Sequence, residues 1–183
     1  RRENLLQDLS KNNSNIFPFT LDVKDEKLTK SVFQNIIEKF KTLDICVFCN
    51  GIHDPEAEKK LSSEKIREIM ETNFFGTLNC IMAANAFFRE NKSGHISIVA
   101  SVAGYRGLPA ASGYCASKSA LISLAESLYF DFKRHNVRVS VINPGFIKTP
   151  MTDKNKFPMP MIKSSEFAAE KIFIGLTKKN AFE

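Results

Sequence analysis

Residues 95–118 read HISIVASVAGYRGLPAASGYCASK, and this stretch decides the fold. His95-Ile96-Ser97-Ile98-Val99-Ala100 is short, apolar and partly β-branched, the pattern of a buried strand, and residues 112–135 beyond it follow a helical pattern. A buried strand running into a helix is the repeating unit of an open α/β sheet, and in such sheets ligands gather at the carboxyl ends of the strands. Ser101 stands at that end, so its hydroxyl is expected to face a crevice. Tyr114 and Lys118 are one turn apart on the helix and share a face. An ammonium there is expected to favour the phenolate and draw the tyrosine down from its ordinary pKa of about 10. Ser101, Tyr114 and Lys118 together can hold a carbonyl oxygen and exchange a proton with it. A Tyr and Lys at this spacing also occur as a plain amphipathic pair, so the serine and the strand before it carry the argument.

Outward from this stretch the chain alternates. Residues 1–10 open a helix with Leu5, Leu6 and Leu9, and residues 16–23, IFPFTLDV, read as a strand ending at Asp22. Residues 25–41 carry a helical stripe of Leu28, Val32, Phe33, Ile36, Ile37 and Phe40. Residues 43–49 are a nearly all-apolar strand, as expected of a parallel strand covered on both faces. Residues 63–90 read as one long helix, 94–100 and 137–143 as strands, and 165–178 as a last helix. The expected fold is α/β: a doubly wound parallel sheet, Rossmann-like, in three α/β/α layers, with residues 1–183 forming a single domain.

The 183 residues are 43% hydrophobic and 25% charged, an ordinary globular composition. The net charge of +6 is spread along helices among acids, as in residues 24–30 and 56–65, which reads as solvated surface. No basic cluster with interleaved aromatics is present, so nucleic acid is not an expected partner. No run of about 18 apolar residues is present, so no membrane span is expected, and the reading is of a cytoplasmic protein. Cys46 and Cys49 form C-x-x-C, but on a strand they point to opposite faces and cannot share a ligand. His53, His95 and His135 have no metal-ligand spacing, so no metal is expected and no site is assigned to them. A nucleotide hydrolase is disfavoured because no phosphate loop with Gly-Lys-Ser/Thr appears.

Ser101-Val102-Ala103-Gly104 followed by Tyr114-Cys115-Ala116-Ser117-Lys118 resembles the active-site signature of the short-chain dehydrogenase/reductase family. The resemblance implies roles along nearly the whole chain. Asp22-Val23 resembles the acid that contacts the adenine of the cofactor, the alternative being a cap on the next helix. Phe48-Cys49-Asn50-Gly51 stands where relatives have Asn-Asn-Ala-Gly. Only Gly51 keeps its register there; Asn50 and Gly51 would lie against the cofactor ribose, and Asn50 is not expected to do the structural work of the family's asparagine. Asn73, three residues before Gly76, resembles the helix asparagine that, with a local helix distortion, holds a water linking the lysine to solvent. Pro144-Gly145-Phe146-Ile147-Lys148-Thr149 resembles the loop flanking nicotinamide, with Pro144 and Gly145 shaping the turn and Ile147 and Thr149 holding the carboxamide.

The implied activity is hydride transfer between NADP or NAD and a small-molecule alcohol or carbonyl. Ser101 would bind the substrate oxygen and Tyr114 would exchange its proton. Lys118 would support the tyrosine and the ribose, and Asn73 would supply protons. Tyr114 and Lys118 thus also count among the cofactor-binding residues. Arg1, standing where the family's second strand ends, would pair with a ribose 2′-phosphate and favour NADP. The loop 151–161, with Pro150, Pro158 and Pro160 around it, would cover the substrate, and Tyr105, Arg106, Leu108 and Ala110 would line the pocket. Apolar residues on more than one face of 63–90 and 112–135 imply a homodimer or homotetramer. The eight glycines form no fingerprint near the N-terminus, so the fold is expected to be incomplete there, lacking a strand-helix-strand piece. The alternative is a non-catalytic binding or regulatory protein on the same fold.

Overall fold

The structure, a computed structural model, describes residues 2–11 and 13–177. Along the chain run helices α1 (Glu3–Lys11) and α2 (Glu26–Phe40), strand β1 (Ile45–Phe48), and helices α3 (Pro55–Glu58), α4 (Ser63–Met70) and α5 (Gly76–Asn91). Strand β2 (His95–Val99), helix α6 (Ser112–Lys133), strand β3 (Arg138–Ile142) and helix α7 (Ser165–Thr177) complete it. The strands form a parallel sheet in the order β1-β2-β3, with Cys46 paired to Ile96 and Ile96 to Val139. The fold class is therefore α/β, as expected.

Alternation along the strands sorts the two faces. Cys46, Phe48, Ile96, Ile98 and Val139 point one way into the main core, where they meet Phe33 of α2, Ile81, Ala84 and Phe88 of α5, and Leu121, Ala125 and Phe132 of α6. The opposite face is polar at its centre: Ser140 Oγ donates to Ser97 Oγ at 3.1 Å and lies 2.8 Å from His95 Nε2. Burial pushes His95 down to about 4, so the ring is neutral. On this face the Arg138 guanidinium donates to the Leu176 carbonyl of α7 at 3.5 Å.

Three expectations are corrected. Residues 16–23 are not a strand: no strand lies beside them among the described residues, and a strand exists only by pairing. They pack instead on α2, with the Phe17 and Phe40 rings 5.0 Å apart and Lys39 Nζ 4.2 Å over Phe17, and the Val23 carbonyl accepts from Asn79 of α5. Strand β1 is not covered on both faces, because Ile45 and Val47 are 44% and 42% exposed. The helix expected over 63–90 is broken into α4, a π-helical turn at Glu71–Phe75, and α5.

Candidate active site

The site assembles where β2 ends. Ser101, extended at φ −174°, caps the 3-10 turn Val102–Gly104 by accepting from Ala103 N–H at 3.1 Å. That turn packs on α6 so closely that a Cβ on Gly104 would lie 2.9 Å from the Lys118 carbonyl carbon. That turn brings the serine hydroxyl beside the Tyr114 side chain, where it favours the phenolate. Lys118 Nζ lies 5.7 Å from the Tyr114 ring centre and donates to the Val99 carbonyl at 2.9 Å. Ser101, Tyr114 and Lys118, read separately from the sequence, thus meet in one place.

Their electrostatics differ from expectation. The Tyr114 phenol is pushed up, not down: burial is the main cause, the Ser101 hydrogen bond opposes it, and Cys115, Cys49 and Glu58 add to it. Lys118 is 4% exposed, and burial pushes its ammonium down to about 8. At both groups desolvation is the largest cause, and spacing does not reveal it.

Asn73 lies in the π turn and is fully buried. Its Oδ1 accepts from Ile52 N–H at 2.7 Å, while Nδ2 donates to the Ile52 carbonyl and to Ser117 Oγ, each at 3.0 Å. The extra residue of a π turn is what re-aims such a side chain. Asn50 does structural work as well, donating to the Thr72 carbonyl at 2.7 Å and accepting from Thr77 at 3.1 Å. Its side-chain amide is thus committed to the π turn and the start of α5. At Gly51 a Cβ would stand 3.5 Å from Lys118 Nζ and 3.6 Å from Asn73 Oδ1. Bare backbone there keeps the space beside the lysine open.

The Pro144 carbonyl accepts from Val102 N–H at 3.1 Å, bringing the loop after β3 beside Ser101. Nothing stands within 4 Å of a Cβ at Gly145. Ile147 bridges to Lys163, its carbonyl accepts from Thr152 Oγ at 2.8 Å, and Thr149 N–H donates to the same Thr152 hydroxyl. Asp22 sits in a turn before α2, half-buried, its Oδ1 accepting from Lys24 N–H at 3.2 Å; the helix is capped by Asp25 instead. Val23 packs beneath Gly76, where a Cβ would come within 2.5 Å of its methyl. Arg1 lies outside the described residues. The loop 151–161 reaches α3 through Lys156 Nζ, 3.4 Å from Glu56. Tyr105 OH accepts from Asn143 at 2.6 Å.

Two residues of the site were not read from the sequence. Glu58, inside the charged run taken as solvated, is 1% exposed. Its Oε2 accepts from Gly113 N–H at 2.7 Å and Tyr114 N–H at 3.1 Å, and its Oε1 lies 2.8 Å from His53 Nδ1. The His53 and Tyr114 ring centres are 4.7 Å apart. One signal was available: Ala111, the cap residue of α6, offers no side-chain acceptor, so the first turn must find one elsewhere. Among the described residues no group of His, Cys, Asp or Glu is placed to hold a metal ion, and no helix is long and apolar enough to cross a membrane.

A parallel α/β sheet with Ser, Tyr and Lys gathered at a strand's carboxyl end defines a class of fold and site. The family profile described as short chain dehydrogenase matches residues 1–158, and the chain belongs to that family. It is 34% identical over 164 residues to an uncharacterized oxidoreductase of Myxococcus xanthus, covering 90% of this chain and 65% of that protein. It is 29% identical over 137 residues to the 3-oxoacyl-acyl-carrier-protein reductase FabG of Thermotoga maritima, covering 75% of this chain and 56% of that one. The chain thus spans less than two thirds of the length of these curated relatives. A solved structure of ElxO with NADP bound superposes with a TM-score of 0.85 at 25% identity, over 100% of this chain and 79% of that one.

Proposed function

We propose that the protein is an NAD(P)-dependent oxidoreductase that transfers hydride between the nicotinamide and an alcohol or carbonyl carbon of a small molecule. The observation that carries this reading is the convergence of Ser101, Tyr114 and Lys118 at the end of β2. The residues present fit a dinucleotide. Lys118 commits one of its three N–H groups to Val99 and keeps two for ribose hydroxyls. Gly51 and Gly145 leave the backbone bare on either side. Ile147 and Thr149 would hold the carboxamide, and Asp22-Val23 the adenine end.

The cofactor, when bound, supplies the hydride; the chain's residues handle the oxygen and its proton. Ser101 donates to the substrate oxygen and holds it against the phenol. Tyr114, kept protonated by burial, gives its proton to that oxygen in the reductive direction and takes one back in the oxidative direction. Asn73 would support proton resupply through a water held at the π turn, its own amide being committed to Ile52 and Ser117. NADP(H) is the preferred cofactor in this reading, supported by the NADP-bound relative. We place the protein in the cytoplasm, where its four free cysteines stay reduced.

The test is the cofactor-dependent absorbance change of the natural protein with NADPH and NADH against a panel of ketones and aldehydes. Turnover with any of them supports the reading. Binding of cofactor without turnover across the panel would instead support a non-catalytic binding protein.

A further inference from the structure

Helix α6 begins without a side-chain cap of its own. Ala111 precedes it at φ −143° and ψ 29°, and Cys115 N–H returns to the Ala111 carbonyl. The N–H groups of Gly113 and Tyr114 occupy the second and third helical positions, the pair that a serine or aspartate cap ordinarily serves. Here they are served by the Glu58 carboxylate, which approaches from 55 residues earlier in the chain. Leaving a carboxylate at 1% exposure is costly unless its oxygens are bonded and a positive field faces it. The N-terminus of a 22-residue helix supplies that field, and His53 takes the remaining oxygen. A carboxylate only accepts, so His53 Nδ1 carries the hydrogen.

Gly113 lies close to α4, where a Cβ would stand 3.3 Å from Ile66, and a Cβ there would be in ordinary contact with Glu58 Oε2 at 3.5 Å. His53 is held at both ends. Ile52 just before it is gripped by the Asn73 amide through both its N–H and its carbonyl, and its own imidazole is tied to Glu58. Its ring then lies against the Tyr114 ring, tilted by 40°. Tyr114 is thus fixed through its backbone by Glu58 and against its ring by His53, with Ser101 on the hydroxyl. Both Glu58 and His53 precede the helix they organise and lie outside the Ser-Tyr-Lys set.

We propose that Glu58 and His53 are positioning residues for Tyr114, the buried carboxylate locking the first turn of α6 and the imidazole setting the plane of the phenol. This inference rests on the reading of Tyr114 as the proton-exchanging group. The groups facing the phenol are Ser101, His53, Glu58, Cys49, Cys115 and Lys118. Burial is the main cause that holds the phenol's proton on, and the Glu58 charge adds to it in the same direction, so Glu58 acts on Tyr114 electrostatically as well as by geometry.

The experiment titrates Tyr114 in the natural protein by tyrosinate absorbance, with Tyr114→Phe protein as the subtracted background, and measures kcat and cofactor KM beside it. Glu58→Gln keeps one acceptor oxygen for the Gly113 and Tyr114 N–H groups, replaces the oxygen facing His53 with an amide NH2, and removes the charge. It is expected to lower the Tyr114 titration, to reduce kcat roughly tenfold through lost alignment, and to leave cofactor KM within about twofold. His53→Phe keeps a ring against Tyr114 and the carboxylate charge, so it should reduce kcat without lowering the titration. It also provides the test if Glu58→Gln does not fold. An unmoved titration with unchanged kcat in folded Glu58→Gln, or a loss of stability alone, overturns the inference. If Tyr114→Phe itself turns over at the normal rate, the proposed function fails and takes this inference with it. If Tyr114→Phe is inactive while the Glu58 and His53 variants behave as the natural protein, only the positioning inference fails.

Discussion

The Asn73 amide and the Ser117 hydroxyl meet across 3.0 Å, the amide donating, and Ser117 in turn donates to the Tyr114 carbonyl at 2.7 Å. The π turn before α5 and the helix bearing Tyr114 are therefore one hydrogen-bonded unit, to which the amide also ties Ile52 after β1. Asn73→Ala leaves the Ile52 N–H and carbonyl without their partner. It should cost about 1–3 kcal/mol of stability and lower turnover, and urea denaturation of the variant against the natural protein checks it. An unchanged midpoint would show that the unit does not depend on this residue.

Gly104 sets how near the Ser101 turn comes to α6. A Cβ there would stand 2.6 Å from Ile122 Cδ1 and 3.0 Å from the Lys118 carbonyl oxygen. The isoleucine can move but the helix backbone cannot, so Gly104→Ala should destabilise by about 1–3 kcal/mol through overpacking and draw Ser101 away from Tyr114. Thermal unfolding together with turnover measures both effects. A variant as stable and active as the natural protein contradicts the packing described.

The sequence made α2, α6 and the three strands legible because apolar periodicity and burial coincide there, as at Val32 and Phe33 of α2 or Ile96 and Ile98 of β2. It made Ser101, Tyr114 and Lys118 legible because their spacing is local and their elements are regular. Residues 16–23 misled because IFPFTLDV has the composition of a strand, while pairing, which composition does not encode, is what makes one. The π turn was hidden inside an otherwise helical pattern. Glu58 and His53 were missed for a different reason: a carboxylate in the run EAEKK looks solvated, and its burial depends on the uncapped start of a helix far along the chain. The direction of the Tyr114 shift was missed because sequence shows neighbours but not the depth at which they sit.

Lys118 makes stability depend on pH. Burial holds its ammonium at about 8 in the folded protein, below the ordinary 10.5 that the unfolded chain retains. Between those values the unfolded state binds more protons, so the Lys118 contribution makes stability rise with pH across that window and is constant below it. The full change is at most about 3 kcal/mol. Lys118→Met removes it, so the difference in denaturation free energy between the natural protein and the variant should grow from pH 7.5 toward pH 10. A difference that is flat or shrinks would contradict the burial of the ammonium.

The expected assembly narrows to fewer residues. Ile81, Phe88, Leu121 and Phe132 are spent in the core, whereas Phe75, Met82 and Phe130 stay 43%, 60% and 72% exposed on the π turn, α5 and α6. We propose that these form a twofold interface between copies of the chain. Light scattering should give a dimer or tetramer at micromolar concentration for the natural protein and a smaller species for Phe130→Glu combined with Met82→Glu. A monomer in both cases contradicts it.

The Tyr114 hydroxyl is the group proposed to exchange the proton, and Tyr114→Phe removes that atom while keeping the ring against His53 and the backbone tied to Glu58. The deciding measurement is turnover of this variant beside its affinity for NADPH by fluorescence titration. The account predicts a loss of kcat on the order of a hundredfold or more with cofactor affinity nearly unchanged. Normal turnover in the variant would contradict it.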